Sequence, residues 1–252
     1  MGYSEANKTA LFPITINSSP EENYMKDIIK ELEKIQAMGY DAHRIFSDWL
    51  DLMLYSFLGD EEFYLTVAKR YRNSAETGQR EIDYFKNACQ LLMAKMKKSN
   101  DELLGEIYMK WNLTHKNTGQ VFTPKHIAGF MAKMLEPYKR EVISDPCCGA
   151  GVMLIETCKL MSYQSLNQAL FIGQDINHTC VKMCALNLLF FNLNGYAILG
   201  DSLNFEYLKV YQTSRSCLGG SIRVLTDEEA EVIKPKVLMR AKLEISDQIT
   251  LF

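Results

Sequence analysis

The chain has 252 residues, of which 47% are apolar and 23% are charged, and this composition is typical of a globular protein with a sizeable buried core. Its 28 basic and 31 acidic side chains give a formal charge of −3. This balance excludes a strongly basic protein that attracts nucleic acid over its whole surface. Any nucleic-acid contact would therefore need a local patch or a partner subunit.

Targeting and redox signals are weak along the whole sequence. No apolar run approaches the roughly 20 residues that span a bilayer, and the N-terminus lacks the basic start and apolar core of a secretion signal. The seven cysteines are odd in number and irregularly spaced, which favours reduced thiols. We therefore expect a cytoplasmic protein with no membrane contact and no bound metal.

The first part of the chain is predicted to be helical. Residues 1–20 contain several turn-forming residues and are expected to form an irregular leader, and residues 21–112 are expected to form a helical domain. Asn100-Asp101 offers an N-cap for the last helix of this domain. Apolar residues recur at spacings of three and four, as on one buried helix face, at Phe46, Trp49, Leu50, Met53, Leu54 and Phe57 and again at Ile82, Phe85, Cys89, Leu92 and Met96.

From residue 113 to residue 245 the pattern changes to alternating strands and helices. Short β-like runs are predicted at 141–145, 169–175 and 197–201, and helices at 151–163 and 178–193. An earlier helix is expected to begin at Thr123-Pro124, with Thr123 as its N-cap. Residues 204–240 are expected to add one or two strands around Gly219-Gly220 and a short helix. The alternation predicts right-handed βαβ units and an α/β domain with a parallel, Rossmann-like sheet.

The sharpest motif follows the first predicted strand and reads Asp145-Pro146-Cys147-Cys148-Gly149-Ala150-Gly151. Gly149 and Gly151 allow the backbone to pass close to a ligand and to open a helix that faces it. A Gly-x-Gly turn alone also occurs for structural reasons. With its Asp-Pro lead-in, the segment resembles the cofactor loop of the N6-adenine DNA methyltransferases, and this resemblance favours a cofactor loop.

Two more acidic residues end the next predicted strands. Asp175, followed by Ile176, lies about one βαβ unit after Asp145, and a carboxylate there can accept hydrogen bonds from ribose hydroxyls. Asp201, followed by Ser202, ends the third strand. A solvated loop carboxylate at Asp175 and a plain turn at Asp201 are the structural alternatives.

Together with the segment Gly119-Gln120-Val121-Phe122-Thr123-Pro124, these motifs resemble, in order, those of the N6-adenine DNA methyltransferases, in particular the modification subunit of type I restriction systems. The resemblance covers residues 119–203, about a third of the chain, and implies S-adenosylmethionine as cofactor. It implies that Phe122 and Thr123 line the methionine side, that Asp175 binds the ribose and that Asp201 lies near the adenine amino group. The structural alternative for Phe122 is simple burial at a helix start.

One family motif is missing. The family methylates adenine with an Asn, Asp or Ser residue followed by Pro-Pro and Tyr or Phe, whose polar groups accept the amino hydrogens while the aromatic ring stacks on the flipped base. The six prolines of this chain are never adjacent. We therefore expect an incomplete methyltransferase domain that binds cofactor and has no catalytic residue of its own.

The last residues, 246–252, form a predicted tail. Its Gln248, Leu251 and Phe252 resemble the peptide by which bacterial proteins dock on the replication sliding clamp, where the apolar side chains fill a pocket. The alternative is a terminal strand that buries Ile249 and Leu251 in the protein's own sheet.

Three functions remain open at this point. The first is a cofactor-binding but catalytically incomplete relative that acts on DNA through a partner subunit. The second is an active adenine methyltransferase that works with a partner subunit or through an unusual loop. The third is an interaction protein that keeps the fold as a scaffold and binds the clamp or a restriction complex.

Overall fold

A computed structural model describes residues 20–113, 122–135 and 142–233. The helices are α1 (Pro20–Ala37), α2 (Ala42–Leu58), α3 (Glu61–Ala68), α4 (Glu81–Ser99), α5 (Leu104–Lys110), α6 (Lys125–Met134), α7 (Val152–Cys158), α8 (Tyr163–Gln168) and α9 (His178–Phe190). The strands are β1 (Val142–Asp145), β2 (Leu170–Asp175), β3 (Gly195–Leu199), β4 (Lys209–Ser214) and β5 (Ser221–Val224).

The first part of the chain contains helices α1 to α5, and the ends of these helices follow local capping chemistry. Asp41 begins α2 by accepting a hydrogen bond from the backbone N–H of Arg44, and Gly59 ends it in the left-handed conformation. Five of the six periodic apolar residues of α2, among them Phe46 and Trp49, are buried. The sixth, Phe57, was expected on the same buried face but lies near the end of the helix and is 44% exposed. Trp49 also satisfies its indole N–H with the carbonyl oxygen of Phe85 on α4.

Three expected helix boundaries were wrong by a short distance. Pro20 is the first residue of α1 rather than the end of a leader, because proline fits the first helical position. Asn100 ends α4 in the left-handed conformation instead of opening α5, which starts at Leu104. Pro124, not Thr123, is the boundary residue of α6, and its carbonyl oxygen accepts the first helical hydrogen bonds.

The sheet has the strand order β1-β2-β3-β4-β5. The first three strands are parallel, as predicted, and β4 and β5 form an antiparallel hairpin around Gly219-Gly220. The third strand begins and ends two residues earlier than expected, at Gly195 and Leu199. The predicted helix 151–163 ends early, at Cys158, and Ser162 caps a second helix, α8, which extends beyond the predicted range to Gln168.

Alternating side chains on the strands fill two layers of core. Phe171, Ala197 and Leu199 point to one face, where α9 packs, and Ile172 and Ile198 point to the other, where they meet Ala230 and neighbouring residues. The larger core is continuous from Met25 in the helical part to Ile222 in β5. The helical segment and the sheet are thus joined by one apolar interior, and α2 packs directly on α9.

None of the helices within the described ranges is long and apolar enough to cross a bilayer.

The parallel arrangement places the carboxyl ends of β1, β2 and β3 at one edge of the sheet. Asp145 and Asp175 are the last residues of β1 and β2, and Asp201 lies two residues beyond the end of β3. The candidate site is at this edge, where open α/β sheets bind their ligands.

Candidate functional site

A cavity of about 420 Å³ lies at the carboxyl ends of β1 and β2. This volume is within the range of small-molecule sites. Its lining residues are Phe122, Thr123, Asp145, Cys147, Cys148, Gly149, Val152, Met153, Asp175, Ile176 and Asn177. Six of the ten residues singled out from the sequence for cofactor binding therefore lie together, drawn from three separate stretches of chain.

The glycine turn forms the floor of the cavity, and its backbone conformation disfavours any residue with a side chain at Gly149 and Gly151. Gly149 and Gly151 have φ values of 53° and 88°, in the left-handed region that favours glycine. A Cβ on Gly149 would lie 3.3 Å from the Phe122 ring. The turn is fixed to the sheet by Cys148, whose backbone N–H donates to the carbonyl oxygen of Gln174 at 2.9 Å.

Asp175 connects the end of β2 to this turn. Its Oδ2 accepts from the backbone N–H of Gly149 at 3.0 Å, and its Oδ1 accepts from the backbone N–H of Asn177 at 2.8 Å. Asn177 in turn caps α9, where its Oδ1 accepts from the N–H groups of Thr179 and Cys180. Each carboxylate oxygen keeps a further acceptor position for a ligand hydroxyl.

Asp145 gives the cavity a second carboxyl group. Burial raises the pKa of Asp145 above its usual value, the nearby Asp175 raises it further, and the N–H of Cys147, which donates to Oδ1 at 3.1 Å, lowers it. Among the described lining residues there is no Lys, Arg or His. The cavity is therefore acidic, and a cationic ligand would relieve the repulsion between the two carboxylates.

Phe122 and Thr123 close the cavity from the segment before α6. The Phe122 side chain is buried, and its ring packs against Tyr108 of α5 with the two centroids 5.7 Å apart. Burial of this ring was the structural alternative, and the position at the cavity wall agrees equally with a ligand contact. The Phe122 ring also lies next to Gly149 and so packs directly over the glycine turn.

Four residues singled out from the sequence do not line the cavity. Pro146 is exposed and Gly151 is buried below the turn. The Asp201 side chain folds back on its own loop, where it accepts from the backbone N–H of Leu203 and the side-chain amide of Asn204, both at 2.8 Å. Asp201 and Ser202 thus lie beyond the end of β3, outside the cavity lining, and their cofactor contacts stay predictions.

Sequence reasoning missed five lining residues. Cys147 and Cys148 occupy the variable positions of the Asp-Pro-x-x-Gly pattern, and Val152 and Met153 follow the turn, so no pattern marked them. Asn177 could have been found, because an Asn directly before a predicted helix is a preferred N-cap. No group of three His, Cys, Asp or Glu side chains in the part of the chain described here is arranged to hold a metal ion.

Comparison with known proteins agrees with this geometry. Residues 99–215 match the sequence profile of the N-6 DNA Methylase family. Over this segment, which is slightly less than half of the chain, the chain is similar to the N6-adenine DNA methyltransferases. The methylase segment starts inside the helical part, at the end of α4, and ends just after β4. It includes every residue of the cavity lining.

The relatives of the methylase segment are subunits or parts of larger enzymes. The type I restriction enzyme MjaVIII methylase subunit of Methanocaldococcus jannaschii is 31% identical over 118 residues, which are 44% of this chain and 20% of that protein. The HindI methylase subunit of Haemophilus influenzae is 32% identical over 94 residues, 34% of this chain and 21% of that protein. The chain spans about a fifth of the length of these relatives.

Two more distant similarities complete the comparison. The type II restriction enzyme and methyltransferase RM.BcgI of Heyndrickxia coagulans is 25% identical over 138 residues, 51% of this chain and 22% of that protein. A solved structure from Listeria monocytogenes, described as a class I S-adenosylmethionine-dependent methyltransferase, has a TM-score of 0.35 at 15% identity and covers 72% of this chain and 55% of that one. With so low a score, it carries no argument about this fold.

Proposed function

We propose that the chain binds S-adenosylmethionine in the glycine-turn cavity and serves DNA adenine methylation as a cofactor-binding component. The observation that carries the proposal is the pair Asp145 and Asp175 beside Gly149, in a cavity whose described lining has no basic side chain. S-adenosylmethionine contains a positively charged sulfonium and an ammonium group next to its adenosine. Both cations suit an acidic cavity, and the ribose hydroxyls suit a strand-terminal carboxylate.

The same charge pattern disfavours a dinucleotide. The pyrophosphate of a nicotinamide cofactor would face the buried carboxyl group of Asp145, with no basic side chain from the described lining to offset the repulsion. The Phe122 and Met153 side chains offer an apolar wall on which the uncharged parts of the ligand can pack. The cavity therefore favours a cationic nucleoside over an anionic one.

The role in DNA adenine methylation rests on the family and on the methylase subunits to which the chain is similar. Within the 252 residues there is no Pro-Pro pair to form the adenine-binding loop, and the chain continues after β3 into the antiparallel β4–β5 hairpin. We therefore infer that the chain alone holds cofactor without transferring its methyl group, and that DNA is reached through a partner subunit.

A second candidate function is an active adenine methyltransferase completed by further polypeptide. It is favoured by the position of β1, which on its outer side has no strand partner among residues 20–113, 122–135 and 142–233. An unpaired strand offers backbone N–H and C=O groups to an added strand. Transfer of a tritiated methyl group to DNA by the chain alone, and by the chain with a polypeptide that carries an Asn-Pro-Pro-Tyr loop, separates the two candidates.

Cofactor binding is tested by titration calorimetry with S-adenosylmethionine and, separately, with NAD. We expect heat of binding for S-adenosylmethionine only, and loss of that heat in Asp145→Ala and Asp175→Ala with an unchanged circular dichroism spectrum. Asp27→Asn is the matched control, because Asp27 is an exposed carboxylate on α1 that pairs only with Lys30 among the described ion pairs. Unchanged affinity in both cavity variants would place the ligand elsewhere.

Docking on the sliding clamp depends on Gln248, Leu251 and Phe252, which lie outside the described residues. It remains a prediction from the sequence, and with it the interaction role. Deletion of residues 248–252 should abolish co-purification with the clamp while leaving S-adenosylmethionine binding unchanged. Retention on the clamp after this deletion would remove the tail from the proposal.

A further inference from the structure

A buried carboxyl group lies behind the glycine turn, outside the cavity. Glu102 precedes α5 and is only 4% exposed. Its Oε1 accepts from the backbone N–H of Gly105 at 2.7 Å and from the side-chain amide of Asn187 at 2.9 Å. Burial raises the pKa of Glu102, and the neighbouring carboxyl of Glu106 raises it further. The N–H groups of Gly105, Asn187 and Leu104 lower this pKa, and no basic side chain is among the groups that shift it.

Asn187 carries this contact forward to the turn. It is fully buried on α9, and its Nδ2 donates both hydrogens, one to Glu102 and one to the carbonyl oxygen of Ala150 at 2.8 Å. Its Oδ1 has no hydrogen-bond partner among the described residues. Rotating the amide by 180° would leave two acceptors facing the oxygen, so the observed orientation is the one that satisfies both Glu102 and Ala150.

Gly105 brings α5 into direct contact with the same turn. A Cβ at Gly105 would lie 2.8 Å from the Ala150 Cβ and 2.8 Å from the Glu102 Oε2, so no other residue fits without movement. Ala150 itself lies between the two left-handed glycines, Gly149 and Gly151. The back of the turn is therefore held by α5 and α9, while its front, through Gly149, is held by Asp175.

We propose that Glu102 is a positioning residue which, through Asn187, fixes Ala150 and so holds the glycine turn in its ligand-binding shape. This role rests on the proposed function, because the turn matters to binding only if the cavity receives S-adenosylmethionine. It makes the helical part a component of the cofactor site. Two glycines in the left-handed region give the turn little rigidity of its own, so an external hold is needed to limit its backbone freedom.

Substitution at both ends of the contact tests the proposal. Glu102→Ala and Asn187→Ala should each raise the Kd for S-adenosylmethionine by about tenfold, since each leaves a buried polar partner unsatisfied. The double variant should cost hardly more than either single one, because the two side chains act in series. Glu102→Gln keeps an acceptor oxygen for Gly105 and Asn187 and should restore near-native affinity. Additive losses, or no rescue by glutamine, would overturn the proposal.

The matched control is Asp48→Asn. Asp48 is an equally buried carboxylate of the helical part, 2% exposed, which bonds Arg70 and Tyr71 and does not touch the turn. Its replacement should lower stability and leave the Kd unchanged. If it weakens binding as much as Glu102→Ala does, the effect is general loosening and not positioning.

A second readout needs no ligand and therefore separates this inference from the proposed function. In the free protein, Glu102→Ala should accelerate hydrogen exchange at the backbone N–H groups of Cys148 and Gly151, which are bonded within and beneath the turn. Glu102→Gln and Asp48→Asn should not. Exchange that is unchanged in Glu102→Ala would overturn the positioning role, whereas absence of S-adenosylmethionine binding in the native chain would overturn only the proposed function.

Discussion

The ends of β2 and β3 carry the same residue type at nearly the same place and use it differently. Asp175 is the last residue of β2, lines the cavity and holds the N–H of Gly149 on the neighbouring turn. Asp201 lies two residues past β3, and its two oxygens are taken up by Leu203 and Asn204 in its own loop. Of these two carboxylates, the one that lines the cavity is the one to which a separate chain segment presents a donor.

The source of the difference is the neighbouring structure. The β1–α7 turn lies beside Asp175 because β1 and β2 are adjacent and parallel. On the far side of β3 the neighbour is β4, which is antiparallel, so a strand start and not a second glycine turn flanks the Asp201 loop. The comparison predicts unequal effects of equal substitutions at Asp175 and Asp201.

The largest effect is expected for Asp175→Asn. The variant loses the negative charge near the ligand cation and one acceptor shared between the ribose and Gly149, so the Kd for S-adenosylmethionine should rise at least about 100-fold, close to 3 kcal/mol. Asp201→Asn should change it by no more than about threefold, because the side chain bonds its own loop. Titration calorimetry measures both, and equal losses would show that the Asp201 loop rearranges to reach the ligand.

The buried carboxyl group of Glu102, which has no basic side chain among its described partners, extends the comparison to the interior of the protein. Burial raises the pKa of Glu102 to about 7, so the folded protein holds this proton more tightly than the unfolded chain, where the pKa is about 4.5. The stabilising contribution is complete below about pH 4.5 and is lost as the pH rises through about 7. The free energy of unfolding of Glu102→Gln, taken relative to that of the native protein, should therefore increase by roughly 2–3 kcal/mol between about pH 4.5 and pH 8.

Urea unfolding at several pH values measures this gain as a difference between the two proteins, which cancels the other titrating groups. Asp48→Asn serves again as the control, because Asp48 is also a buried carboxylate but has a basic partner, Arg70, which Glu102 lacks among the described residues. A stability difference that is independent of pH would mean that Glu102 keeps an ordinary pKa and that its burial costs little.

Much of the fold followed from the sequence because its signals are local. The spacing of Phe46, Trp49 and Met53 marked a buried helix face, and the alternation of short apolar runs with helices marked the parallel strands. Asp145, Asp175 and Gly149 were expected to lie together and do so, because the loops that follow parallel strands lie at the same edge of the sheet. Their contact with a cofactor stays a prediction. These features depend on order along the chain and not on distant contacts.

The remainder depends on contacts between residues far apart in sequence. Glu102 and Asn187 are 85 positions apart, and neither has a spacing that marks it as a partner of Ala150. Asp201 could not be separated from Asp175 before the antiparallel direction of β4 was known. The position of Asn100 at the end of α4 could not be predicted for a different reason: an asparagine can end a helix as readily as begin one.

A smaller effect is expected from adding a methyl group to the turn. Gly149→Ala puts a side chain on a residue with φ of 53° and within 3.3 Å of Phe122, so stability should fall by about 1–2 kcal/mol and the Kd should rise about tenfold. Gly219→Ala is the matched control: its φ of 116° is also strained, but no atom of the described part of the chain lies within 4 Å of the added Cβ. It should cost similar stability, measured by thermal unfolding, without changing the Kd.

The smallest expected effect is the pH dependence of the Kd that results from Asp145. Burial and the nearby Asp175 raise the pKa of this carboxyl group above its usual value. A cationic ligand favours the ionised carboxylate and so lowers this pKa on binding, which means that affinity must fall as the pH drops through the pKa of the free protein. The Kd for S-adenosylmethionine should therefore be a few-fold higher at about pH 5 than at about pH 7, and Asp145→Asn should reduce this dependence. A dependence that is the same in Asp145→Asn would show that Asp145 is not the titrating group, and affinity that rises toward low pH would exclude a cation beside this carboxylate.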